Sequence, residues 1–525
     1  MRGITMNKGI EKMSNQHSIM PWGLKFGILG LALSASPLFM GITLAGKEPC
    51  PPEKAAGAPA DETDRGYPLD KVAAARRPEG RAVINSIEAA LEAAYQNNTG
   101  LKELRATARS KDEGLPQALA GWRPTVYANA SVGGEKDIIS GDLKDNGDRG
   151  FSIAQSGNTS STAKADVTLN QNLFNGGKTV AETCKAESLV QVARAQLADK
   201  EREVLFAAVQ AYLAVVAKTS ELQYRKSNET ALKKTLEATQ DKFKVGEETR
   251  TSIAQAEANL ASGIAEREST EAQLLAAEAT FEQVTGARPG HLKKPGALAN
   301  LPGALGEALE IAKKNNPAVL AALHQEKADR SAIKSSDADL LPKVDLQGQI
   351  SRTGRSTNYY RQTGSSKAND FTTAQQVSVN LRVPLYEGGA IRGKSRELRE
   401  VAEQRRINIE TVRREVVQKL VEAWETHASA KATVQQYKTQ VRANEVSLEG
   451  TRQEMLVGSK ILLDVLNSQR DLVNSQLNLV RAEQSYYQSA YNILALMGRL
   501  NAIDMKLKVK RYDPRVHYHD VRNSW

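Results

Sequence analysis

Hydrophobic and polar residues alternate one by one in four short stretches of this chain, and over most of the rest they recur at helical or seven-residue spacing. Within 163–173 the apolar set Ala163, Ala165, Val167, Leu169 and Leu173 interleaves with Lys164, Asp166, Thr168, Asn170 and Asn172. Val344, Leu346, Gly348 and Ile350 alternate with Asp345, Gln347, Gln349 and Ser351, and Val377, Val379, Leu381, Val383 and Leu385 alternate with Ser378, Asn380 and Arg382. Val126, Ala128, Ala130 and Val132 form a weaker fourth series. A period of two predicts strands with one apolar and one polar face, here at about 125–135, 161–174, 343–352 and 374–386. The half-buried strands of a soluble sandwich would alternate in the same way. Two features point instead to a bilayer. The connecting segments 136–160 and 352–374 read as long polar loops, and strands of roughly 9–11 residues match a tilted membrane crossing. Tyr127, Phe174, Tyr359, Tyr360, Phe371 and Tyr386 fall near the strand ends, where an interfacial aromatic belt would lie. Four strands cannot close a barrel, and an open edge in lipid leaves backbone groups unpaired, so the membrane reading requires strands pooled from several copies.

The helical pattern is as distinctive. No Pro or Gly interrupts 178–242, a helix of roughly 95 Å if continuous, and 396–456 contains only Gly450. Val465, Leu472, Leu479, Tyr486 and Ile493 recur every seven residues, beside the parallel series Leu466, Val473, Val480, Tyr487 and Leu494, as in a coiled coil. The matching first-half positions are Ile253, Leu260, Arg267, Leu274 and Phe281. Helices are expected at about 178–243, 249–285, 391–457 and 460–497. Phe243-Lys244-Val245-Gly246 and Met455-Leu456-Val457-Gly458 each end one of them, with Gly as the left-handed cap.

These elements repeat. Ala90-Leu91, Asn97-Asn98, Pro124 and Val126 match Ala308-Leu309, Asn315-Asn316, Pro342 and Val344 at an offset of 218. Leu173-Phe174-Asn175-Gly176-Gly177, Val245-Gly246 and Gly286 match Leu385-Tyr386-Glu387-Gly388-Gly389, Val457-Gly458 and Gly498 at an offset of 212. The slip of six falls inside the hairpin, so the chain is a duplication whose first hairpin is the longer. The division is 82–286 for the first unit, 287–305 for a linker, 306–498 for the second unit and 499–525 for a C-terminal tail.

Composition narrows the function. Aromatic residues make up 5%, thin for large globular cores, and the formal charge is +10. Lys and Arg interleave with Glu and Asp along the helices, as in Lys200-Glu201-Arg202-Glu203, which reads as solvated helix faces and not as a nucleic-acid footprint. Residues 1–45 read as an export signal, with Lys25 before an apolar run from Phe26 to Leu44 broken by Pro37. An N-terminal membrane anchor is the alternative, and Met13 or Met20 could be the true start. Residues 46–81 read as a disordered leader. Cys50 and Cys184 imply no disulfide framework, and the residues before Cys50 do not form a lipidation site. No later segment reaches 18 uninterrupted apolar residues, so no transmembrane helix is expected in the mature chain.

No phosphate loop, dinucleotide fingerprint or paired-Cys metal site occurs, so neither an enzyme nor a cofactor is expected. His517-Tyr518-His519 could touch a metal but sits in the basic tail, where surface decoration explains it. Lys460, Asp464 and Asn467 fall on one helical face by i, i+4, i+7 spacing. In a ring of copies that face could line a charged constriction, although an exposed Lys–Asp pair is commonplace.

The duplicated unit, the Leu-Phe-Asn-Gly-Gly and Leu-Tyr-Glu-Gly-Gly junctions, and the Val-Gly turns followed by Val465 and Leu472 together resemble the TolC family of outer-membrane efflux and secretion channels, over about residues 82–500. The resemblance implies a mainly α fold with a membrane β-barrel portion. Three copies would build a twelve-stranded barrel and a periplasmic α-barrel of long coiled-coil helices. A mixed equatorial region would form from the linker and the segment after 500. It further implies an outer-membrane exit duct for proteins or small toxic compounds. Its partners would be a periplasmic adaptor and an ABC or proton-driven inner-membrane transporter, in contact with outer-membrane lipid and without nucleic acid. By the same resemblance the adaptor docks at Val245, Gly246, Val457 and Gly458. The periplasmic entrance carries Lys460 and Asp464, with Asn467, Ser252 and Met455 where family members have Asp, Asp and Tyr. A less negative ring is expected. The competing expectations are a periplasmic coiled-coil adaptor without membrane strands, and a structural surface protein without a pore.

Overall fold

The computed structural model describes residues 83–145, 151–296, 301–361 and 364–522. The expected signal and leader, with Cys50, lie outside the described residues, as do the side chains of Tyr359 and Tyr360. A two-residue strand β1 (Val83–Ile84) opens the described chain, followed by helices α1 (Ile87–Asn97), α2 (Thr99–Asp112) and α3 (Gly114–Leu119). Strands β2 (Thr125–Asp145) and β3 (Phe151–Asn175) form the first hairpin, and α4 (Lys178–Lys244) and α5 (Arg250–Thr285) the first helical pair. After β4 (Arg288–Pro289) the order recurs as α6 (Leu305–Asn315), α7 (Pro317–Ala338), β5 (Lys343–Arg361), β6 (Gly364–Arg382), α8 (Ala390–Leu456) and α9 (Leu462–Leu496). A strap then leads to α10 (Pro514–Arg522).

The duplication is written into the backbone. Among the described residues, the glycines with positive φ are Gly176, Gly177, Gly246, Gly286, Gly388, Gly389, Gly458 and Gly498, which form four pairs at the 212-residue offset. Left-handed backbone at these junctions excludes a Cβ at little cost only for glycine. Helices α4 and α8 have 67 residues each, about 100 Å at 1.5 Å per residue.

The Asn-Asn repeat has a physical explanation. Helices α5 and α9 end with carbonyls that have no partner inside the helix. Asn98 caps α2 by accepting from Leu101 N (3.2 Å) and donates Nδ2 to the Val284 carbonyl near the end of α5 (3.2 Å). Asn316 does the same in the second unit, accepting from Ala318 N (3.0 Å) and donating to the Leu496 carbonyl at the end of α9 (2.9 Å). Gly286 and Gly498 face these asparagine pairs so closely that a Cβ would meet the Asn97 side chain at 2.9 Å and the Asn315 carbonyl at 2.6 Å.

The main core gathers Ile87, Leu91, Leu101, Leu205, Tyr212, Phe281, Tyr491 and Leu500, from α1, α2, α4, α5, α9 and the strap. Tyr212 donates its hydroxyl to the Lys293 carbonyl at 2.7 Å, which fixes the linker after β4. One stretch of α4 is long and apolar enough by composition to cross a bilayer, but more than half of it is buried within the chain. A second core, with Val319, Leu420, Ile493 and Met497, serves the second unit.

Several expectations need correction. The segments read as polar loops, 136–160 and 352–374, largely continue the strands: β2 and β3 span 21 and 25 residues, and β5 and β6 span 19 each. Backbone pairing needs no apolar side chains, so the ladders run on beyond the apolar band. The fourth strand ends at Arg382 and not near 386. The segment read as a C-terminal tail is a strap whose Leu500, Ala502 and Leu507 join the main core. Within it His517 Nδ1 lies 3.1 Å from Asp112 Oδ2, in place of surface decoration. Cys184 on α4 is disulfide-bonded, which the positions of the cysteines in the sequence did not imply.

Candidate functional site

Two regions are candidates for function, the sheet at one end of the long helices and the helix tips at the other. The sheet order is β2-β3-β5-β6, all antiparallel. Its register stacks Val126, Ala128, Ala130 and Val132 opposite Leu169, Val167, Ala165 and Ala163, and places Val167 opposite Ile350, Leu346 opposite Val379 and Val344 opposite Leu381. This face is uncovered: Val132 is 86% exposed, Val377 79%, Leu381 65% and Val126 61%. The opposite face is polar and better covered along β3, where Asp166 accepts from Asn129 Nδ2 (3.0 Å) and Thr168 Oγ1 (3.3 Å) and lies 3.6 Å from Lys164. In water the burial would be reversed. An apolar band turned outward and a polar lining turned inward is the arrangement of a barrel wall in lipid.

The band occupies the half of each strand nearest the helices. Beyond it the outer halves carry Glu135, Lys136 and Asp137 on β2 and Lys367, Asn369 and Asp370 on β6. The aromatic belt divides. Phe371 (72% exposed) pairs with Gly354 on the apolar face, and a bulge between Asn172 and Phe174 turns Phe174 onto it opposite Val344. Tyr127 pairs with Thr168 on the polar face instead, and Tyr386 lies past the strand end.

At the other end the two tips share one geometry. Gly246 N donates to the Phe243 carbonyl (3.0 Å) and Glu247 N to that of Lys242 (2.9 Å); Gly458 N and Ser459 N make the corresponding bonds to Met455 (3.1 Å) and Glu454 (2.9 Å). These pairs close the helices as Schellman-type caps. They leave Val245 and Val457 72% and 80% exposed, with Gly246 and Gly458 beside them in the left-handed region.

The next turns differ between the copies. Thr249 Oγ1 accepts from Ser252 N at 3.2 Å and so caps α5. The equivalent of Thr249 is Ile461, which has no side-chain acceptor. There Ile461 N donates to Asp464 Oδ2 at 3.3 Å, so Asp464 caps α9 from the opposite direction. These are the two reciprocal halves of a capping box, one in each copy. Lys460 does not share a helical face with Asp464 and Asn467: it stands in the exposed turn before α9 begins at Leu462. Asn467 is half-buried one turn further on.

Met455 faces inward on an apolar cluster of Leu232, Leu236, Ala256, Leu260, Leu462 and Leu466, which joins the two helical pairs near their tips. Above the cluster runs a polar link that sequence reasoning missed. Arg452 Nη2 donates to Gln469 Oε1 (2.9 Å), and Gln469 Nε2 donates to Asn228 Oδ1 (3.2 Å), tying α8 through α9 to α4. Further up, Glu221, 5% exposed, holds Lys218 at 2.8 Å and Arg481 at 3.4 Å. The signal available for it was a lone acid on an apolar helical stripe. Among the described residues no group of three or more His, Cys, Asp or Glu is arranged to hold a metal.

A sheet made to face lipid, continuous with paired helices about 100 Å long, defines an outer-membrane duct with a helical extension into the periplasm. The chain belongs to the outer membrane efflux protein family, whose sequence profile matches residues 90–287 and 308–499. It is 31% identical over 444 residues to the outer membrane efflux protein BepC of Brucella suis biovar 1, covering 85% of this chain and 92% of BepC. It is 26% identical over 348 residues to the outer membrane protein TolC of Vibrio cholerae serotype O1, covering 65% of this chain and 78% of that protein. The crystal structure of the CmeC outer membrane channel of Campylobacter jejuni shares the fold with a TM-score of 0.66 at 13% identity, over 83% of this chain and 89% of CmeC. The protein is thus an exit channel of the outer membrane.

Proposed function

We propose that three copies pool their hairpins into a twelve-stranded barrel and their long helices into a continuous periplasmic tube. In this assembly an adaptor seated on the Val245-Gly246 and Val457-Gly458 tips connects the tube to an ABC or proton-driven inner-membrane transporter. The observation that carries this reading is the uncovered apolar face of a sheet whose outer strands, β2 and β6, each lack a partner on one side among the described residues. Unpaired strand edges cannot remain in hydrocarbon, so β6 of one copy pairs with β2 of the next. Family membership supports three as the number of copies. Cargo passes along the polar lining without a reaction on the way, and energy comes from the transporter.

The entrance is the ring of tips. Asp464 supplies its negative charge while capping α9, and the Met455–Leu466 cluster and the Arg452–Gln469–Asn228 link hold the second helical pair against the first. The test is conductance of the purified protein in planar bilayers. Asp464→Asn keeps a side-chain acceptor for Ile461 N but removes the charge; it should raise open-state conductance or weaken cation preference. Asp464→Ala should do so as well, and should add fraying of α9 worth about 1 kcal/mol. A silent wild-type protein sinks the channel reading, and an unchanged Asp464→Asn variant sinks the gate assignment.

A further inference from the structure

We propose that the C-terminal strap and α2 form a basic collar that binds the carboxylate-rich, peptide-bearing glycan of the cell wall. Together, 499–522 and α2 carry eleven basic and five acidic side chains, a net +6 of the chain's +10. Lys102, Arg109, Lys506, Lys508, Arg511 and Arg515 are all exposed. None of them makes an ion pair with a described residue. Basic residues on the long helices are more often paired, as in Lys200–Glu203 at 3.0 Å and Lys244–Asp241 at 2.8 Å.

The strap is pinned, so these charges leave a fixed ribbon. Ala502 N donates to Glu201 Oε1 (2.7 Å), Lys508 N to Glu92 Oε1 (2.7 Å) and Tyr512 N to the Tyr95 hydroxyl (3.0 Å). Leu507 is buried in the core and Val509 packs on it, which turns Lys506 and Lys508 outward. The Arg105 guanidinium lies 4.6 Å from the Tyr95 ring centre and 5.4 Å from that of Tyr512, and α10 packs on α2. A preorganised row of cations loses little freedom on binding an anionic polymer.

Position and surface chemistry select the partner. Strap residues pack beside Leu205, which follows Lys178, the first residue of α4, by 27 residues, so the collar stands about 40 Å from the strand ends. Lipid headgroup charge is screened within about 8 Å at physiological salt, so the outer-membrane surface is out of reach. The tip lies 39 residues further along α4, about 60 Å away, which separates the collar from the adaptor position. A stable protein interface needs an apolar or aromatic centre. Here the large apolar side chains exposed on the strap are Ile503 and Val516 among many charges. Such a surface fits a flexible polyanion.

The experiment is co-sedimentation of the full-length, detergent-solubilised protein with purified sacculi across a salt series. Two variants touch only exposed side chains: Lys506→Gln with Lys508→Gln, and Arg511→Gln with Arg515→Gln. Each pair should lower retention about threefold and the four together about tenfold. Sacculi with amidated carboxyls should retain neither wild type nor variants. Conductance should stay at the wild-type value throughout, which separates failure here from failure of the channel reading. Equal retention of wild type and the fourfold variant, undiminished retention on amidated sacculi, or loss of binding only to an acidic protein would each overturn the proposal.

Discussion

Removing the Asn316 side chain tests the contact that holds the second unit together. Asn316 is 3% exposed, and its amide does two things: the oxygen caps α7 and the nitrogen satisfies the Leu496 carbonyl. In Asn316→Ala the lost cap costs about 1 kcal/mol, and the carbonyl left unpaired in a buried place costs about 1–2 kcal/mol more. Asn98 makes the equivalent bonds from a half-buried position, where water can reach the vacated Val284 carbonyl, so Asn98→Ala should cost only about 1 kcal/mol. Hydrogen exchange with mass spectrometry on the intact protein in detergent reads both. A local opening made easier by about 2–3 kcal/mol should speed exchange about 30- to 160-fold in peptides covering the start of α7 and the end of α9. Asn98→Ala should change its own region about fivefold. Asn316→Asp sharpens the test, because it keeps the capping oxygen but turns an acceptor toward a carbonyl, and so should protect no better than Ala. Equal effects of the two alanine variants, or wild-type protection in Asn316→Asp, would refute the reasoning.

Two further perturbations address the helical tube. Leu466→Ala removes a 5% exposed side chain from the tip cluster; a loss of about 2–3 kcal/mol there should raise the open fraction of the entrance severalfold, seen as more frequent openings in planar bilayers, and an unchanged open probability would show that the cluster does not hold the gate. His427 bonds through Nδ1 with Ser489 Oγ (3.1 Å) and stacks on Tyr486 at 4.9 Å. Burial is the largest cause and lowers its pKa; a bond to the Tyr486 backbone opposes it, and the nearby Lys431 charge adds a smaller lowering. A folded-state pKa below the unfolded value gives stability that is present above about pH 6.5 and lost as the pH falls through the lowered folded value. Thermal melts from pH 7 to 5 should therefore fall further for wild type than for His427→Phe, which keeps a ring on Tyr486; parallel slopes would remove His427 from the account.

The faces of the strands were legible because alternation is a local signal, and so was the duplication, because glycines needed for positive φ cannot be exchanged. The strand ends were not. Beyond the apolar band the ladder is held by backbone bonds alone, and polar residues such as those of 136–145 carry no mark that separates strand from loop. Helices α1, α6 and α7 were missed as elements even though their Asn-Asn junctions had been aligned, since short helices closed by long-range contacts lack a long period. Lys460 was misplaced because i, i+4 spacing counts residues as helical before the turn has ended. The Asn228–Gln469–Arg452 link joins residues 241 apart and leaves no trace in either segment.

The two copies have diverged where the fold permits it. The six extra residues of the first hairpin fall at its outer end, past the apolar band, so the junction glycines keep their spacing and the lipid-facing rows stay aligned. At the tips, copy one caps α5 with the Thr249 hydroxyl, whereas copy two has Ile461 there and must cap α9 from Asp464. Position 464 therefore needs an acceptor for the sake of the helix, whatever its charge does for the pore. An acid at that position is weaker evidence for a gate than its spacing suggested, and the neutral acceptor Asp464→Asn is the substitution that separates the two roles. No such latitude exists at the Asn–Gly contacts where α5 and α9 end. There the same side chain both starts one helix and finishes another, and any replacement must fail at one of the two.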